Sequence, residues 1–470
     1  MKSKIIKISY LLLGILLVIP SIIYLIQNHT VLGFSTYYNF FINQNFNKYI
    51  STTIYIVLFC AITAIYLYII KQKEFFSNIK EIIINVLIVG SIFMFMLPWT
   101  SSDIFYYMGV GELDEVYNQN PYYTTIKQYG TENQEEIIDD EIFEQGANNY
   151  WADTTVVYGP IAQLLFKTCA VLSFKNINLC LFVFKLFNLI IHIANCYLIY
   201  KLTDKKSFSI MYGLNPFILL EFIGNVHNDV ILVFLVLLSI YFLLKKENLY
   251  MSVLFLALSA GIKYFTILLL PLIILCYYRS EKRIGIRLLK CILFGLLFVA
   301  IILIEYSIYF RDFQVFKGII TQSSKYSKSI YSVLLQIDSN VMTIFKYSAT
   351  VIFLGYYMKM CIDILTEKNI EWSSIIKKYN ISLLLAMLLL TTFQQWYLIW
   401  LFATIMWQNS NMVKNIIMLS AISEIANSIY MYKSEWYVYD IYFVGIIIVI
   451  FTAYILIRQQ FGKEKINWIN

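Results

Sequence analysis

Residues 99–123 hold the side chains best suited to chemistry, because an acid lies there at the end of an apolar run. The run ends at Pro98, and Asp103 follows among aromatic side chains. An ionisable side chain at a membrane boundary is costly to desolvate and is therefore a functional candidate, and a carboxylate held there can take a proton from a hydroxyl group. The alternative is that Asp103 only caps the next helix where the chain re-enters water. A second acidic group follows in the same segment: Glu112, Asp114 and Glu115.

Three further groups of polar residues interrupt apolar runs. They are residues 224–229, which include His227, Asn228 and Asp229; Lys263; and residues 394–397, which include Gln395, Trp396 and Tyr397. All are predicted to lie on the same side of the membrane as Asp103, and such convergence indicates a site. Each also has an ordinary interpretation: turn or cap residues at 227–229, snorkelling at 263, and hydrogen bonds between helices at 394–395. Lys185 and His192, inside the run 177–200, are predicted to hydrogen-bond to neighbouring helices or to snorkel.

Composition decides the broad class. The chain is 60% hydrophobic and 14% charged, a balance that a soluble domain of 470 residues could not bury. It is therefore predicted to be an all-α polytopic membrane protein. The net charge of +7 comes from basic residues in short loops, where they set orientation, so nucleic-acid binding is not expected. The seven cysteines lie in or beside apolar runs without a C-x-x-C pair, which argues against a disulfide framework and a metal site.

The distribution of charge between the apolar runs predicts the topology. Three lysines precede the first run, 8–26, which places the N-terminus of a multi-pass plasma-membrane protein in the cytoplasm. Residues 99–157 then form an external loop with twelve acids and one base, Lys127, in which short helices along the membrane surface are expected. Residues 1–470 are predicted to form a single membrane domain with about 12 to 14 transmembrane helices, the last at 438–457. For 160–207 two alternatives stay open: a re-entrant run 160–174, or a basic loop 201–207 that breaks the positive-inside rule.

An external carboxylate with one or two cations beside lipid suits the transfer of a group from a lipid-linked donor. Nucleotide sugars and ATP are not available outside the cell membrane, so an activated sugar there arrives on a lipid phosphate. Transfer needs a base for the acceptor hydroxyl and positive charge for the departing phosphate. Asp103 suits the first role, and Lys263 or His227 the second. The sequence contains no P-loop, H-E-x-x-H or G-x-S-x-G motif.

Five motifs in order resemble those of GT-C superfamily glycosyltransferases, most closely the polyprenol-phosphate-mannose-dependent α-mannosyltransferases. They are Asp103-Ile104-Phe105-Tyr106-Tyr107 with Asn120-Pro121-Tyr122; Val157-Tyr158-Gly159-Pro160; Gly213-Leu214-Asn215-Pro216 with Gly224 and His227-Asn228-Asp229; Gly261-Ile262-Lys263-Tyr264; and Gln395-Trp396-Tyr397-Leu398-Ile399-Trp400. The likeness covers about residues 95–402. Two features depart from the family pattern. Gln395 stands where proline is usual, and the acidic insert 132–144 has no recognised counterpart.

The resemblance implies a GT-C-like helical bundle and inverting transfer that requires no metal or other cofactor, with Asp103 as the catalytic base. It places His227, Asn228, Asp229 and Lys263 around the phosphate and sugar of the donor, with Trp396 and Tyr397 closing the pocket. The supporting residues are Tyr106, Tyr107, Asn120, Tyr122, Tyr158, Asn215 and Gln395. The donor is then a polyprenyl-phosphate sugar, mannose being one candidate, and the acceptor a cell-envelope glycan or glycolipid.

Two other classes of membrane protein are the alternatives. A transporter or flippase of lipid-linked sugars would spread its charges over both leaflets and show an internal repeat. The polar breaks here are predicted on one side, and no repeat is visible. A polysaccharide polymerase or ligase would place arginine pairs in a large external loop, whereas residues 99–157 contain no arginine. The membrane glycosyltransferase is therefore the predicted function.

Overall fold

The computed structural model describes residues 2–28, 48–72, 75–367, 370–433 and 454, and these residues fold into helices. Within these ranges there is no β-strand, and extended pairing is limited to an isolated bridge between Ser327 and Thr392. The predicted all-α class of a polytopic membrane protein is confirmed. The predicted last span, 438–457, lies outside the described residues.

The described elements follow one another along the chain in this order. The α-helices are α1 Lys2–Asn28, α2 Lys48–Lys71, α3 Ile79–Phe93, α4 Asp103–Glu115, α5 Ile126–Glu132, α6 Glu141–Ala147, α7 Pro160–Ser173, α8 Ile177–Thr203, α9 Lys206–Gly213, α10 Pro216–Ile218, α11 Asp229–Lys245, α12 Leu249–Ala260, α13 Leu269–Tyr277, α14 Ile284–Tyr306, α15 Lys317–Ser323, α16 Ile330–Ile337, α17 Ser339–Thr366, α18 Trp372–Leu388, α19 Ile399–Phe402 and α20 Ser410–Lys433. A π-helical segment, Leu219–Gly224, continues α10. The 3₁₀ segments are Tyr264–Leu268, Phe313–Phe316, Gln395–Leu398 and Ile405–Trp407.

The chain divides into two compact units, each assembled from segments that are distant in sequence. The first comprises Met1–Phe234, Ile308–Gln322 and Asn427–Ser434, and the second comprises Leu235–Ser307, Ser323–Ala426 and Glu435–Asn470. Asp103 and His227 belong to the first unit, and Lys263 and Tyr397 to the second. That residues 1–470 form a single membrane domain stays a prediction.

Five of the described helices are long and apolar enough to cross a membrane: α1, α2, α8, α14 and α17. A sixth span results if α9 and Pro216–Gly224, which are bent by 43° at a short break, cross together. Helix α7 is shorter. Its 14 residues extend about 21 Å, against about 30 Å for the hydrocarbon core. This length favours the re-entrant alternative for the run 160–174, while the number of crossings stays a prediction.

Helix α4 begins at Asp103, and two of its glycines allow close approach to neighbouring helices. A Cβ atom at Gly109 would lie 2.8 Å from the Cα atom of Gly146 in α6. One at Gly111 would lie 2.5 Å from the carbonyl oxygen of Phe166 in α7. Neither approach is possible with a larger side chain unless the backbone moves, so the absence of a Cβ atom fixes α4 against both helices.

We expect Gly111→Ala to destabilise the protein by about 1–3 kcal/mol, because the new methyl group would meet the backbone of α7, which cannot give way as a flexible side chain can. The measurement is the thermal midpoint of the purified protein in detergent. Gly295→Ala in α14 is the matched control, since no atom of the described residues is recorded within 4 Å of a Cβ atom there. It should leave the midpoint unchanged or slightly raised, as alanine is the better helix former. Equal midpoints for the two variants would contradict the packing argument.

Candidate active site

Asp103 is the first residue of α4, and its side chain is only 14% exposed. Ser102 is the N-cap residue, and the Ser101 hydroxyl accepts a hydrogen bond from the Asp103 amide at 3.3 Å. Asp103 Oδ2 lies 3.8 Å from His227 Nδ1, and the Tyr107 hydroxyl donates to the same oxygen over a long 3.5 Å. The carboxylate of Asp103 is therefore not the helix cap, and it contacts an imidazole and a phenol inside the first unit.

Aromatic side chains hold Tyr107 beside Asp103. Its ring stacks on Phe166 of α7 with centroids 4.6 Å apart, and its hydroxyl lies 3.1 Å from the hydroxyl of Tyr158. The carbonyl of Tyr158 accepts a hydrogen bond from the Tyr122 hydroxyl at 2.9 Å. Burial raises the pKa of Tyr107, so its hydroxyl keeps the proton that it donates. These tyrosines were predicted as supporting residues, and the structure brings them together.

Two other predicted supporting residues in this segment bind backbone groups. The Tyr106 hydroxyl donates to the carbonyl of Thr154 at 3.2 Å. The side-chain amide of Asn120 donates to the carbonyl of Tyr309 at 2.8 Å, and its oxygen accepts from the amide of Tyr122 at 3.1 Å. Because the partners are main-chain groups, both residues order the backbone around α4.

His227 lies in the break between the π-helical segment and α11. The residue before it, Val226, has a φ of 66°, a left-handed conformation that is a true outlier for a β-branched side chain. Such strain costs on the order of 1–3 kcal/mol and persists only where the surroundings impose it. The amide of His227 donates to the carbonyl of Glu221 at 3.2 Å, and the imidazole is fully buried. The chain is thus bent sharply at the residue that directs His227 toward Asp103.

A polar stripe on α8 satisfies the backbone of this break. The Lys185 ammonium, which is 2% exposed, donates to the carbonyls of Met96, Ile223 and Gly224 at 2.6, 2.9 and 2.6 Å. One turn later Asn188 donates to the carbonyls of Phe222 and His227 at 2.8 and 3.0 Å. His192 and Asn195 extend the stripe with bonds to the carbonyls of Gly213 and Val230. The predicted hydrogen bonds from Lys185 and His192 to neighbouring helices are present.

Three other predicted residues flank the break. Asn215 starts α10, because its side-chain oxygen accepts from the amide of Phe217 at 3.0 Å, and Pro216 fills the first helical position. Asn228 is 2% exposed, and neither polar atom of its side chain has a hydrogen-bond partner among the described residues. Asp229 begins α11, and its carboxylate adds to the raised pKa of Tyr107. A buried amide without a partner is suited to a ligand group.

Glu221 is a part of this cluster that the sequence interpretation missed. It is fully buried, and its Oε2 lies 3.2 Å from His227 Nε2. The same oxygen accepts a hydrogen bond from Asn225 at 3.1 Å, and Asn225 also donates to the Thr100 hydroxyl. The signal was available, since an acid inside the apolar run 208–223 is itself a functional candidate.

The second acidic group on α4 is structural. Asp114 receives bonds from the Lys167 ammonium at 3.0 Å, the Tyr309 hydroxyl at 2.8 Å and the Gln163 amide at 3.2 Å. Burial, together with the nearby Asp140 carboxylate, raises the pKa of Glu112 to about 8, so this group is largely protonated at neutral pH. Asp114 fastens α4 to α7 and to the 308–322 segment, whereas Asp103 contacts His227.

The acidic insert is partly ordered by its own aromatic contacts. The Asp140 side chain caps α6 by accepting from the amide of Phe143 at 2.9 Å, and it also accepts from the Tyr117 hydroxyl at 2.7 Å. The Tyr129 hydroxyl donates to Glu136 at 2.5 Å. Residues 99–157 therefore contain the short helices that were expected, and their placement along the membrane surface stays a prediction.

Lys263 and the aromatic block form a cluster in the second unit. The Lys263 ammonium lies 4.8 Å from the ring centroid of Tyr397 and 5.9 Å from that of Trp400. Tyr397 stacks on Trp400 at 4.8 Å, and Trp400 on Phe265 at 4.7 Å. A cation over aromatic faces is stabilised by their electron density, so the rings of Tyr397 and Trp400 hold the Lys263 ammonium in a defined position.

The turn that carries Trp396 and Tyr397 is regular in spite of its glutamine. Gln395 is the first residue of a 3₁₀ segment, a position where proline is tolerated but not needed. Trp396 is buried, and its ring lies 6.1 Å from that of Tyr397. The preceding Gln394 accepts from the Lys328 ammonium at 3.4 Å. Lys328 is 7% exposed and is a cation beside this turn that the sequence interpretation did not single out.

The described fold and the cluster around Asp103 define a polytopic helical membrane protein with a buried group of ionisable side chains. The family profile described as alpha-(1→6)-mannopyranosyltransferase, N-terminal domain, matches residues 15–279, more than half of the chain. The chain belongs to this family and is a glycosyltransferase, which confirms the resemblance to mannosyltransferases. The matched range includes Asp103, His227 and Lys263 and ends before Trp396 and Tyr397. No curated protein and no solved structure matches the chain.

We expect Lys185→Met to lower the free energy of unfolding by at least about 2 kcal/mol, because three buried carbonyl groups would lose their donor. The thermal midpoint in detergent is the measurement. Lys201→Met on the same helix is the control, since the Lys201 side chain is exposed and its ammonium lies 5.3 Å from the Tyr197 ring. If the two variants melt alike, the bonds from Lys185 do not stabilise the break.

Proposed function

We propose that the protein transfers mannose from a polyprenyl-phosphate donor to the C6 hydroxyl of a mannose unit in a cell-envelope glycan or glycolipid. The observation that carries this proposal is the buried contact of 3.8 Å between Asp103 and His227, within the range matched by a mannosyltransferase family. The linkage follows the description of that family. The reaction takes place at the external face of the plasma membrane, because the three lysines near the N-terminus predict a cytoplasmic N-terminus, and this topology places the acid-rich loop 99–157 outside.

In the proposed mechanism Asp103 is the catalytic base of an inverting, GT-C-type displacement that requires no metal. Its carboxylate takes the proton as the acceptor oxygen bonds to the anomeric carbon, and the bond from that carbon to the lipid phosphate breaks with its electron pair leaving on the phosphate. His227 assists Asp103, because its imidazole ring lies next to the Asp103 carboxylate. The Tyr107 hydroxyl orients the same carboxylate. Catalytic contacts are often long without substrate, so 3.8 Å is compatible with closure on binding.

Two groups are proposed for the donor. Lys263 would bind the phosphate, since its ammonium is held over the rings of Tyr397 and Trp400, and a lipid phosphate needs positive charge as its bond to the sugar breaks. Asn228, with its buried and unpartnered amide, and Asp229 would bind sugar hydroxyl groups. Trp396 and Tyr397 would cover the donor.

We predict that Asp103→Asn abolishes transfer, with a loss of at least about 100-fold, because an amide cannot accept the proton. The test incubates the purified protein in lipid nanodiscs with undecaprenyl-phosphate mannose and octyl α-mannoside, and measures dimannoside formation. Asp139→Asn, at an exposed acid of the same loop, is the control and should retain wild-type activity. Retained activity in Asp103→Asn with an unchanged thermal midpoint would refute the assignment of the base.

We predict that Lys263→Gln lowers kcat/KM for the same donor about 10- to 100-fold, because the departing phosphate loses a charge-assisted hydrogen bond. Lys263→Arg should recover part of the loss, since it restores the positive charge. Lys282→Gln, at an exposed lysine of the same unit, provides the comparison. Equal kcat/KM values for Lys263→Gln and Lys282→Gln would exclude Lys263 from donor binding.

A further inference from the structure

Glu221 is not one of the groups that the proposed reaction uses, yet its environment is typical of a functional residue. It is a fully buried acid in a π-helical segment, a type of distortion that is frequent at functional sites. Buried carboxylates are rare unless they are paired. Its Oε2 lies 3.2 Å from His227 Nε2, on the opposite side of the imidazole from Asp103.

The imidazole of His227 therefore lies between two carboxylates. A neutral imidazole has one N–H group and can donate to only one of them. With this proton on Nε2, near the closer carboxylate of Glu221, the lone pair of Nδ1 lies on the side of Asp103 and can accept a proton from Asp103 once that carboxyl group is protonated. Only an imidazolium can donate to both acids, so His227 can donate to Asp103 and to Glu221 together only after it has taken up one proton.

We propose that Glu221 is a positioning residue that prepares His227 to take the proton that Asp103 collects. The inference rests on the proposed role of Asp103 as the base. The acceptor O–H bond breaks and an Asp103 Oδ2–H bond forms; this bond then breaks as the His227 Nδ1–H bond forms. Asp103 is again a carboxylate, and Glu221 stabilises the imidazolium. The summed charge of Asp103, His227 and Glu221 changes from −2 to −1, and this change is favourable in a site of low dielectric constant.

The other polar and charged groups of this region come from α4, α8, the start of α11, the segment before α7 and the residue after the π-helical segment. Tyr107 and Tyr158 lie on the Asp103 side, and Asp229 lies near Tyr107 at the start of α11. On the α8 side Lys185 binds the carbonyl of Gly224, three residues before His227. Asn225 holds Glu221 Oε2 by a hydrogen bond of 3.1 Å. Glu221 is thus held beside Nε2 by a donor from the residue that follows its π-helical segment.

The test uses the full-length protein in nanodiscs with undecaprenyl-phosphate mannose and octyl α-mannoside. Glu221→Gln keeps the size of the side chain and an oxygen for Asn225, but removes the charge. We expect kcat to fall about 10- to 100-fold, the donor KM to stay within about twofold, and the solvent deuterium isotope effect on kcat to rise, since proton transfer becomes rate-limiting. Leu219→Met, a volume-conserving change in the same π-helical segment, should retain wild-type kcat and isotope effect.

A double-mutant cycle separates this role from a structural one. Because Glu221 acts through the imidazole, Glu221→Gln should cause no further loss of the residual activity of His227→Ala. Equal fold-losses in both backgrounds, or a lower kcat of Glu221→Gln with an unchanged isotope effect, would overturn the inference. A wild-type protein without Asp103-dependent transfer would overturn the proposed function, and the inference with it. The two failures are thus distinguishable.

Discussion

The structure around the site depends on one constraint: a helix that breaks in an apolar environment frees carbonyl groups, and these need donors from elsewhere. Helix α8 supplies them. Lys185, Asn188, His192 and Asn195 follow one another at intervals of three or four residues and so share one face of the helix. Their bonds reach carbonyl groups from Gly213 to Val230, on both sides of the break. Without these donors the carbonyl groups of the break would lack hydrogen bonds, and the break would be unstable relative to a regular helix.

The break, held by the hydrogen bonds from α8, determines how Asp103, His227 and Glu221 are placed relative to one another. A continuous α-helix would place residues 221 and 227 on different faces, because six residues correspond to about one and two-thirds turns. The π-helical segment and the left-handed Val226 change that spacing and bring the Glu221 carboxylate to the imidazole of His227. The strain at Val226 is therefore coupled to this contact, and it persists because Lys185 and Asn188 hold both ends of the turn.

Much of this could be predicted from the sequence, for physical reasons that also explain the omissions. Apolar composition predicts the all-α membrane class, and polar residues inside apolar runs mark Asp103, His227 and Lys263. The pairing of Glu221 with His227 was not predictable, because it depends on non-α spacing. The bond from Lys185 to Met96 joins residues 89 positions apart, a distance over which hydropathy carries no pairing information. Hydropathy also gives the length of an apolar run but not how deeply the run enters the membrane. For this reason the sequence left two alternatives for the topology of residues 160–207.

The two groups of acids on α4 show why position in the fold decides the role of a carboxylate. Asp114 and Glu112 lie on turns that pack against α7, where one is neutralised by a lysine and the other by its raised pKa. Asp103 lies at the first turn, where the amide groups of a helix N-terminus favour a negative charge. Its contacts are an imidazole, which can take up and release a proton, and a phenol, which keeps its proton and donates a hydrogen bond, instead of an ammonium group. Among these acids, Asp103 is the one that lies next to an imidazole, a group that can both accept and donate a proton, and the proposed role of base requires such a neighbour.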